Sequence, residues 1–541
     1  MKKPTRIVLS IVIGTLLTAL AYYIVLPPLN VFSPGFWTFL LFVVAFYGVP
    51  LGVSMVAPAN GNKHQKPFKL SKALIIAAAV PVAVLVIGGI VSSTFFNARR
   101  YSEVISVQEA VFSEDMPEVD TVTNISLMDT ESALIIGNRA LGALSDVVSQ
   151  YNLSTDYNQI NYKGTPQKVA NLEYVDFFRY LNNCEKGVPG YVMVDPVNSK
   201  AEYVRFDKPL YYVDSAFFGE DLMRKLRFSY PTKIFSTVNF EIDENGDPWF
   251  IVSCMKPRVG LFGAMDVSEV IIFNPCDGSS EIYPVSETPA WIDNVYDGSL
   301  ACEKYDWYGT LSGGFWNSVI GNKNCRETTD GYGYIVRGDD VWYYTGVTSL
   351  TSDESNIGFI ITNARTGEYK YYPVVGAEEY SAMGAAEGEV QEKGYQASFP
   401  SLINVDGQAT YIMVLKDSNG LVKLYALVNA ENYSIVATGD TQTDAKRAYR
   451  ELLVRGGLVE EDETPDEDLL SATVTVAEVR LATVNGETVV YAMGDDGCVY
   501  KGLLSDDETL ILLREGDTVS VTYSETEHER IRRIRSVEFG G

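Results

Sequence analysis

The sequence contains only two histidines, His64 and His528. Histidine is the usual base that activates a nucleophile and the commonest metal ligand. Neither histidine lies between residues 101 and 457, so histidine-based catalysis and multi-histidine metal sites are nearly excluded from that part of the chain. The P-loop, H-E-x-x-H and G-x-S-x-G motifs are absent as well. We therefore expect no metal ion, no cofactor and no catalytic residue.

Cysteine is also scarce, with six residues and no Cys-x-x-Cys pair. This spacing excludes the usual zinc-ribbon and thioredoxin signatures. Disulfides are permitted outside the cytoplasm, and the pairing we favour is Cys302 with Cys325, which would close one aromatic, glycine-rich loop. Free buried thiols are an equal alternative.

Acidic residues are missing from the first 100 positions, where three uncharged apolar runs lie: Ile7–Leu26, Gly35–Val56 and Ala73–Phe96. About 20 apolar residues suffice for a helix to cross a bilayer. A backbone in lipid must satisfy its own hydrogen bonds, so each run predicts a membrane-spanning helix. The first run lacks small residues where a signal peptidase would cut, so we do not expect cleavage. Residues 1–100 are predicted to be a membrane anchor, with lipid around residues 7–96.

The charges of the loops predict the orientation of these helices, because positively charged loops remain in the cytoplasm. The loop from Pro27 to Pro34 carries no charge. The other side holds seven basic residues: Lys2, Lys3, Arg6, Lys63, Lys66, Lys69 and Lys72. Arg99 and Arg100 argue for the opposite orientation but are outnumbered. We therefore predict a multi-pass protein of the cell membrane, with a cytoplasmic N-terminus and residues 101–541 extracytoplasmic.

The rest of the chain is strongly acidic. Of 43 Lys and Arg and 70 Asp and Glu residues, the first 100 positions hold nine basic and no acidic ones. A domain with this excess of negative charge repels nucleic acid phosphate and anionic lipid. We expect no nucleic acid partner, and we interpret the acidic surface as a solvated one.

A strand–turn–strand pattern recurs four times, beginning at Tyr191, Val270, Phe359 and Leu424. Each copy has an Asn or Asp near its centre, which suits a tight turn. Three copies follow a further predicted hairpin. Helices are predicted between the strands at Thr130–Gln150, Leu172–Asn182, Gly219–Phe228, Pro289–Asp293 and residues beyond it, Glu378–Gln391 and Asp444–Val454.

Residues 101–457 are accordingly predicted to form an extracytoplasmic α+β domain of repeated helix and antiparallel-meander units. A β-propeller is the alternative, which unequal repeat lengths and interleaved helices disfavour. The units resemble the PepSY type of extracytoplasmic module, in which a helix packs on an antiparallel meander. The residues that carry this resemblance are Val194-Asp-Pro196, Phe273-Asn-Pro-Cys-Asp-Gly278 and Thr362-Asn-Ala-Arg-Thr-Gly367.

A longer stretch, from Gly187 to Thr438, looks like membrane proteins of unknown function from Gram-positive gut bacteria. That impression is carried by the segments that begin at Pro189, Arg224 and Asp353. The resemblance implies no activity and no site residue.

The C-terminal part begins after an acidic run that contains a proline, Glu460–Asp468, so residues 458–468 are predicted to be an exposed linker. Residues 469–541 follow as a separate all-β unit with five or six short strands. That many strands in a short chain predict a small closed barrel, which resembles an OB-fold. OB-type nucleic acid binding needs a basic groove with stacking aromatics, and this unit is acidic.

The most unusual segment is Tyr305–Tyr334, where aromatic residues are interspersed with glycines. Aromatic rings on a flexible backbone are typical of surfaces that bind glycans or peptides. The candidate binding residues are Trp307, Tyr308, Phe315, Trp316 and Tyr332. The alternative is that these rings belong to the hydrophobic core and that the glycines form turns.

Carboxylate pairs are the remaining candidates for chemistry. Asp339 and Asp340 are adjacent, and Asp243-x-Asn245-x-Asp247 has the first alternate oxygens of a calcium loop. Their positions beside glycines between strands favour turns instead.

Our leading hypothesis is a membrane-anchored, non-enzymatic binding or scaffolding protein of the bacterial cell envelope, with a protein or cell-wall partner. The alternative is an envelope glycoside hydrolase, which needs two carboxyl groups about 5–10 Å apart in an open cleft.

Overall fold

The structure is a computed structural model that describes residues 3–56, 68–118, 127–197, 200–350, 352–418, 420–459, 470–484, 487–504, 507–525 and 530–539. The chain divides into two compact units, residues 1–459 and residues 460–541. Three subjects of the sequence analysis lie outside the described residues: the basic loop around Lys63 and Lys66, the acidic run Glu460–Asp468, and both histidines.

The three apolar runs form long helices, α1 (Lys3–Val25), α2 (Pro34–Val56) and α3 (Phe68–Ser92). Each contains a segment of 18 to 20 residues that is long and apolar enough to cross a membrane. A hydrogen bond of 3.0 Å from the Ser10 hydroxyl to the Pro50 carbonyl joins α1 to α2. The prediction of three membrane-capable helices is therefore confirmed.

The remaining helices are shorter. They are α4 (Thr94–Ser102), α5 (Phe112–Asp115), α6 (Thr130–Gly142), α7 (Ser145–Val148), α8 (Phe177–Asn183), α9 (Leu222–Ser229), α10 (Gly298–Leu311), α11 (Glu379–Glu389) and α12 (Gln442–Arg455). The side chains of Asp129, Asp221 and Thr441 accept hydrogen bonds from N–H groups in the first turns of α6, α9 and α12. These caps satisfy donors that have no partner within the helix, which explains where each helix begins.

The strands of the first unit form four sheets. The strands are β1 (Val107–Glu109), β2 (Tyr151–Leu153), β3 (Asn158–Tyr162), β4 (Thr165–Tyr174), β5 (Val188–Asp195), β6 (Lys200–Leu210), β7 (Ile234–Ile242), β8 (Pro248–Val259), β9 (Gly263–Phe273), β10 (Ser280–Pro284), β11 (Arg326–Thr328), β12 (Gly333–Arg337), β13 (Asp340–Ser349), β14 (Ser352–Asn363), β15 (Tyr369–Tyr372), β16 (Gly376–Ala377), β17 (Gln396–Ala397), β18 (Ser401–Val405), β19 (Gln408–Lys416), β20 (Val422–Asn429) and β21 (Val436–Gly439).

The first sheet has the order β2-β4-β5-β6, with β3 beside β4, and the second has the order β10-β9-β8-β7. The third runs β1-β15-β14-β13-β11, with β12 beside β13 and β16 beside β14. The fourth runs β17-β19-β20-β21, with β18 beside β19. Short β1 pairs in parallel with β15, and the neighbours along the chain pair in antiparallel fashion. This is a mixed helix and sheet architecture with many strands.

The four recurring segments each form a hairpin in a different sheet, namely β5–β6, β9–β10, β14–β15 and β20–β21. The turn residues act locally. The side chain of Asn274 accepts a hydrogen bond from the N–H of Cys276, and that of Asn363 accepts one from Arg365, both at 2.9 Å. Asx side chains that bond two residues onward stabilise such turns. These hairpins were predictable because their cause is local.

Hydrophobic cores lie between the sheets. The first and second sheets share one, to which Val192 and Phe250 belong, and the third and fourth share another. Strand β19 shows how a strand serves two cores. Tyr411 and Met413 point into the core between the third and fourth sheets, whereas Ile412 packs with α12 on the other face. A continuous apolar run, rather than an alternating one, is expected for a strand buried on both faces.

The predicted helix at Leu172–Asn182 was partly wrong. Its first residues belong to β4, and the helix begins only at Phe177, where the Asp176 carboxylate caps it. Phe178 and Leu181 are exposed rather than core residues. The apolar spacing was correct for a helix, but the cap decides where that helix starts.

The helix predicted at Pro289–Asp293 and residues beyond it begins later than predicted, and Pro289–Asp293 itself is not helical. This stretch forms turns, and the helix begins at Gly298, where the Asp297 side chain accepts a hydrogen bond from Ser299. All six cysteines are free thiols, so Cys302 and Cys325 are not joined.

The tip of the β8–β9 hairpin rests on the end of α3. The Ser92 hydroxyl oxygen accepts hydrogen bonds from the backbone N–H groups of Leu261 and Phe262, at 2.8 and 2.9 Å. The Tyr101 hydroxyl donates to the Ser92 carbonyl at 2.7 Å. A Cβ added at Gly88, one turn earlier in α3, would lie 2.5 Å from the Phe262 ring. The hairpin tip therefore packs against the last turns of this helix.

A second contact joins the domain to the loop between α1 and α2. Leu29 donates its N–H to the Pro231 carbonyl at 2.7 Å, and the Asn30 amide donates to the Thr232 carbonyl at 2.8 Å. When three consecutive helices cross a membrane, the end of α1, the start of α2 and the end of α3 lie on one side. The sheet domain contacts the α1–α2 loop and the end of α3, so it lies at the same end of the three helices as that loop.

The second unit is a closed barrel of β22 (Leu470–Val484), β23 (Glu487–Gly494), β24 (Val499–Leu503), β25 (Thr518–Glu525) and β26 (Ile531–Phe539). Their order around the barrel is β22-β23-β24-β26-β25, and β24 pairs with β26 in parallel. Val490, Tyr500 and Ile534 fill the interior. This core is made of the unit's own residues.

We predict that Gly260→Ala destabilises the protein more than Gly338→Ala. Both glycines have positive φ, so both substitutions cost about 1 kcal/mol of backbone strain. A Cβ at Gly260 would also lie 2.5 Å from the Ser92 hydroxyl and 2.8 Å from its Cα, whereas a Cβ at Gly338 meets nothing within 4 Å. Overpacking of this kind adds about 1–3 kcal/mol. Chemical unfolding in detergent measures both variants, and equal losses would contradict the contact between the hairpin and α3.

Candidate functional site

A cleft of about 370 Å³ opens beside the end of α1. Its lining combines aromatic, acidic and basic side chains: Tyr23, Asp214, Ser215, Ala216, Phe217, Phe218, Asp221 and Arg224. All but Tyr23 come from the loop after β6 and from the start of α9. Tyr23 stands near the end of the membrane-capable helix α1, so the cleft lies beside that end of the helix.

Local hydrogen bonds hold the loop that forms the cleft. Leu222 donates its N–H to the Val213 carbonyl at 3.2 Å, which closes the loop between them. The Ser215 hydroxyl accepts from the Tyr174 N–H at 2.9 Å and ties the loop to β4. Phe218 has a positive φ of 55°, which is an uncommon conformation for a bulky residue. These hydrogen bonds hold the loop that forms the cleft in a defined conformation.

Arg224 connects this loop to α1. Its guanidinium stacks 4.2 Å from the centre of the Tyr23 ring and donates to the carbonyl oxygens of Phe218, at 2.6 Å, and Tyr23, at 3.4 Å. One turn further along α9, Arg227 donates to the Leu26 carbonyl at 2.9 Å. The last carbonyls of a helix lack partners within it and carry partial negative charge, so arginines are favourable there.

Asp214 is the most perturbed carboxyl group in the cleft. Its side chain reaches solvent at the mouth, but the surrounding protein takes away much of its hydration. This burial, with the nearby carboxylates of Glu173, Asp221 and Asp156, raises the pKa of Asp214 to about 6. The Arg224 guanidinium donates to two carbonyl oxygens and pairs with Asp221 at 3.6 Å, and no ion pair joins it to Asp214 in the described part of the chain. The cleft can therefore hold a proton near neutral pH or pair with a cationic group.

The structure does not bring the five predicted aromatic residues onto one surface. Tyr308 and Tyr332 pack against the hydrophobic cluster between α10 and the third sheet. Trp307 and Phe315 pack against the cluster that joins α4 to α10. Trp316 alone among the five is exposed, with 63% of its surface accessible. The segment is also not a glycine-rich loop throughout, because Trp307 and Tyr308 lie within α10.

The candidate carboxylate pairs have structural partners. Asp340 forms an ion pair with Arg365 at 2.7 Å and accepts a hydrogen bond from Asn363. Asp243 accepts from the N–H groups of Asn245 and Asp247, at 2.9 and 3.0 Å, so the turn predicted there is confirmed.

A different carboxylate pair, which the sequence analysis missed, lies between sheets. Glu241 is fully buried and accepts hydrogen bonds from the N–H groups of Asp293 and Asn294, and Asp293 is 2% exposed. Burial raises the pKa of both carboxyl groups. A glycoside hydrolase needs its pair in an open cleft, and this pair is enclosed.

Sequence reasoning also missed Asp214 and Arg224. The available signal was Arg224-x-x-Arg227, two basic residues one helical turn apart in a domain rich in acid. Nothing in the sequence indicates that α1, about 200 positions earlier, is their partner.

No protein-family model matches the chain, and no curated protein matches it. Among solved structures, a levansucrase variant from B. megaterium matches with a TM-score of 0.17 and 8% sequence identity, over 78% of this chain and 99% of that chain. A TM-score this low carries no argument. The class of protein is defined by the described structure: three helices able to cross a membrane, a mixed helix and sheet domain, and a small closed barrel.

We predict that Asp214→Asn stabilises the protein above about pH 6 and has little effect near pH 4. The folded protein keeps the Asp214 proton up to a pKa of about 6, whereas the unfolded chain releases it near the ordinary value of 3.8. Stability is therefore lost as the pH rises between these values, and asparagine removes that loss. Thermal unfolding at pH 4 and pH 7.5 measures the effect, with Asp339→Asn, in an exposed turn, as the control. An equal shift at both pH values would contradict the prediction.

Proposed function

We propose that the protein is a membrane-anchored binding or scaffolding protein of the bacterial cell envelope, whose sheet domain is fixed against the membrane surface. The observation that carries this proposal is the set of contacts between the helix ends and the domain. Ser92, at the end of α3, holds the β8–β9 hairpin, and Arg227 holds the end of α1. A domain on a free tether would not make such contacts. A domain held this way presents the same surface to the bilayer at all times.

The side of the membrane follows from the loop charges. The domain contacts the uncharged α1–α2 loop, and seven of the nine basic residues among the first 100 positions belong to the N-terminus or to the sequence between the second and third apolar runs. The positive side is cytoplasmic, so the proposed location of the domain is extracytoplasmic. The resemblance to membrane proteins of Gram-positive bacteria agrees with this location.

The architecture supports two further proposals on relationship. Each of the four sheets contains one of the recurring hairpins, which supports an arrangement of PepSY-like modules. The barrel order β22-β23-β24-β26-β25, with β24 parallel to β26, supports an OB-like unit. Neither resemblance brings a ligand or an activity with it.

The ligand we propose for the cleft beside α1 has a positively charged head and an apolar body. Arg224 pairs with Asp221 at 3.6 Å and donates to carbonyl oxygens, so the Asp214 carboxylate supplies the negative charge that the cleft offers. Phe217 and Phe218 are exposed at its rim and offer an apolar contact at membrane level. An amphiphile that bears an ammonium group fits both features. The hydrolase alternative receives no support from the enclosed pair Glu241 and Asp293.

Protease treatment of wall-stripped cells tests the location. We expect a C-terminal epitope tag to be digested while a tag placed in the loop at residues 57–67 is spared, because the two lie on opposite sides of the membrane. Immunoblotting reads both tags in the same sample, and detergent-lysed cells are the control in which both are lost. Protection of the C-terminal tag in intact cells would place the domain in the cytoplasm and overturn the envelope proposal.

Photolabelling tests the ligand class. The full chain in phosphatidylcholine nanodiscs is exposed to a photoactivatable long-chain alkylamine or to the matching carboxylate. We expect the amine to label the peptide around residues 211–224 several-fold more than the carboxylate does, and Asp214→Asn to remove most of this difference. Mass spectrometry measures the labelling, and Asp339→Asn should leave it unchanged. Equal labelling by both probes would reject a cationic ligand.

A further inference from the structure

The segment after α10 is held in a defined shape that points apolar side chains outward. It turns at Gly314 and continues as one π-helical turn, Asn317–Gly321. The Asn317 amide donates to the Lys323 carbonyl at 3.0 Å and to the Cys325 sulfur at 3.2 Å, which ties the two ends of the turn together. Within this fixed turn Val319 and Ile320 are exposed, Ile320 to 73%. Polar hydrogen bonds therefore hold this apolar surface outside the hydrophobic core.

This surface is continuous with the end of the third membrane-capable helix. The Phe95 ring lies 5.0 Å from that of Phe315 and 5.8 Å from that of Trp316, centre to centre. Phe95 and Phe96 are themselves exposed and come three and four residues after Ser92, the last residue of the apolar segment. A segment of 20 residues rises about 30 Å, which is the thickness of the hydrocarbon core. The phenylalanines, and the rings that touch them, thus lie at the boundary between hydrocarbon and head groups.

The residues of the surface are those that favour this boundary. Tryptophan is enriched where lipid meets water, because its ring is apolar and its N–H is polar. Arg99, Arg100 and Lys323 are exposed beside the apolar residues and are basic, although the domain as a whole is acidic. Basic residues around an apolar face are typical of segments that lie in the membrane interface. A surface for a soluble glycan or peptide would not need to adjoin a membrane helix.

We propose that Phe315–Ile320, with Phe95 and Phe96, inserts into the lipid interface and forms an attachment of the domain to the bilayer beside α3. The aromatic segment is then a contact with lipid and not a site for a soluble ligand. The attachment does not depend on the ligand of the cleft or on the compartment that the domain faces. It does depend on α3 crossing the bilayer.

Tryptophan quenching by brominated lipid tests this attachment. The full chain is reconstituted in nanodiscs of phosphatidylcholine with or without bromine on the acyl chains, and the emission lost to bromine is compared between variants. Trp37, at the start of α2, is the positive control. Trp249 is the negative control, since it lies ten residues from the end of β8 that carries the hairpin tip, roughly 30 Å away along the strand.

We expect Trp316→Phe to reduce the bromine-quenched emission about as much as Trp37→Phe does, and Trp249→Phe to leave it unchanged. In the double variant Val319→Ser with Ile320→Ser, quenching of Trp316 should fall at least twofold, while thermal unfolding in detergent stays the same because both side chains are exposed. Val375→Ser, at an exposed position after β15, is the matched control and should change neither reading.

Two results would overturn the proposal. One is unchanged quenching in Trp316→Phe, which would mean that this ring is not in contact with lipid. The other is a mass in detergent that corresponds to two copies in the wild type and to one copy in the Val319→Ser, Ile320→Ser variant, with quenching unaltered. That outcome would assign the surface to a second copy of the chain.

Discussion

The rest of the structure depends on how backbone hydrogen bonds are satisfied at the ends of the three membrane-capable helices. The last carbonyls of α1 lack partners within the helix, and Arg224 of the distant helix α9 donates to that of Tyr23, while Arg227 donates to the carbonyl of Leu26, directly after α1. At the end of α3, the Ser92 hydroxyl binds two N–H groups of the β8–β9 hairpin. These bonds are made by helix α9 and the β8–β9 hairpin of the domain, so they set its orientation relative to the three helices. Arg224 donates to a carbonyl of α1, at Tyr23, and to one of the loop after β6, at Phe218. It therefore holds that loop beside α1, where the two form the cleft.

Inside the domain, neighbouring sheets stabilise each other because they share hydrophobic cores. Strand β19 contributes Tyr411 to one core and Ile412 to another, and neither core would be complete without it. Burial of side chains on both faces contributes about 25 cal/mol for each Å² of apolar surface removed from water. Enclosed polar groups must then find partners, as Glu241 does with the N–H groups of Asp293 and Asn294. The pair that this produces resembles a catalytic one in its residue types, but both of its carboxylates accept hydrogen bonds from backbone N–H groups.

Local causes explain which features could be predicted. The turns at Asn274 and Asn363 form because a side chain binds the backbone two residues away, and the pattern is visible in any short window of sequence. The start of the helix at Gly298 was missed, since Asp297 is one of several residues nearby that could cap a helix. The aromatic residues were identified as a group, but the fold distributes them between two clusters and the surface. The cleft was not predictable, because Tyr23 and Arg224 are far apart in the chain.

The sequence by itself determined that three helices can cross a membrane, since length and the absence of charge are sufficient conditions in lipid. It also determined the hairpins, through residues that act on their own backbone. Only the tertiary structure decided which side chains meet at the ends of these helices. Ser92 binds a hairpin tip near residue 261, in the region where α4 packs against α10. A local sequence pattern cannot indicate a contact between residues so far apart in the chain. Periodicity reports which face of an element is apolar, whereas the partner of that face is chosen by the whole fold.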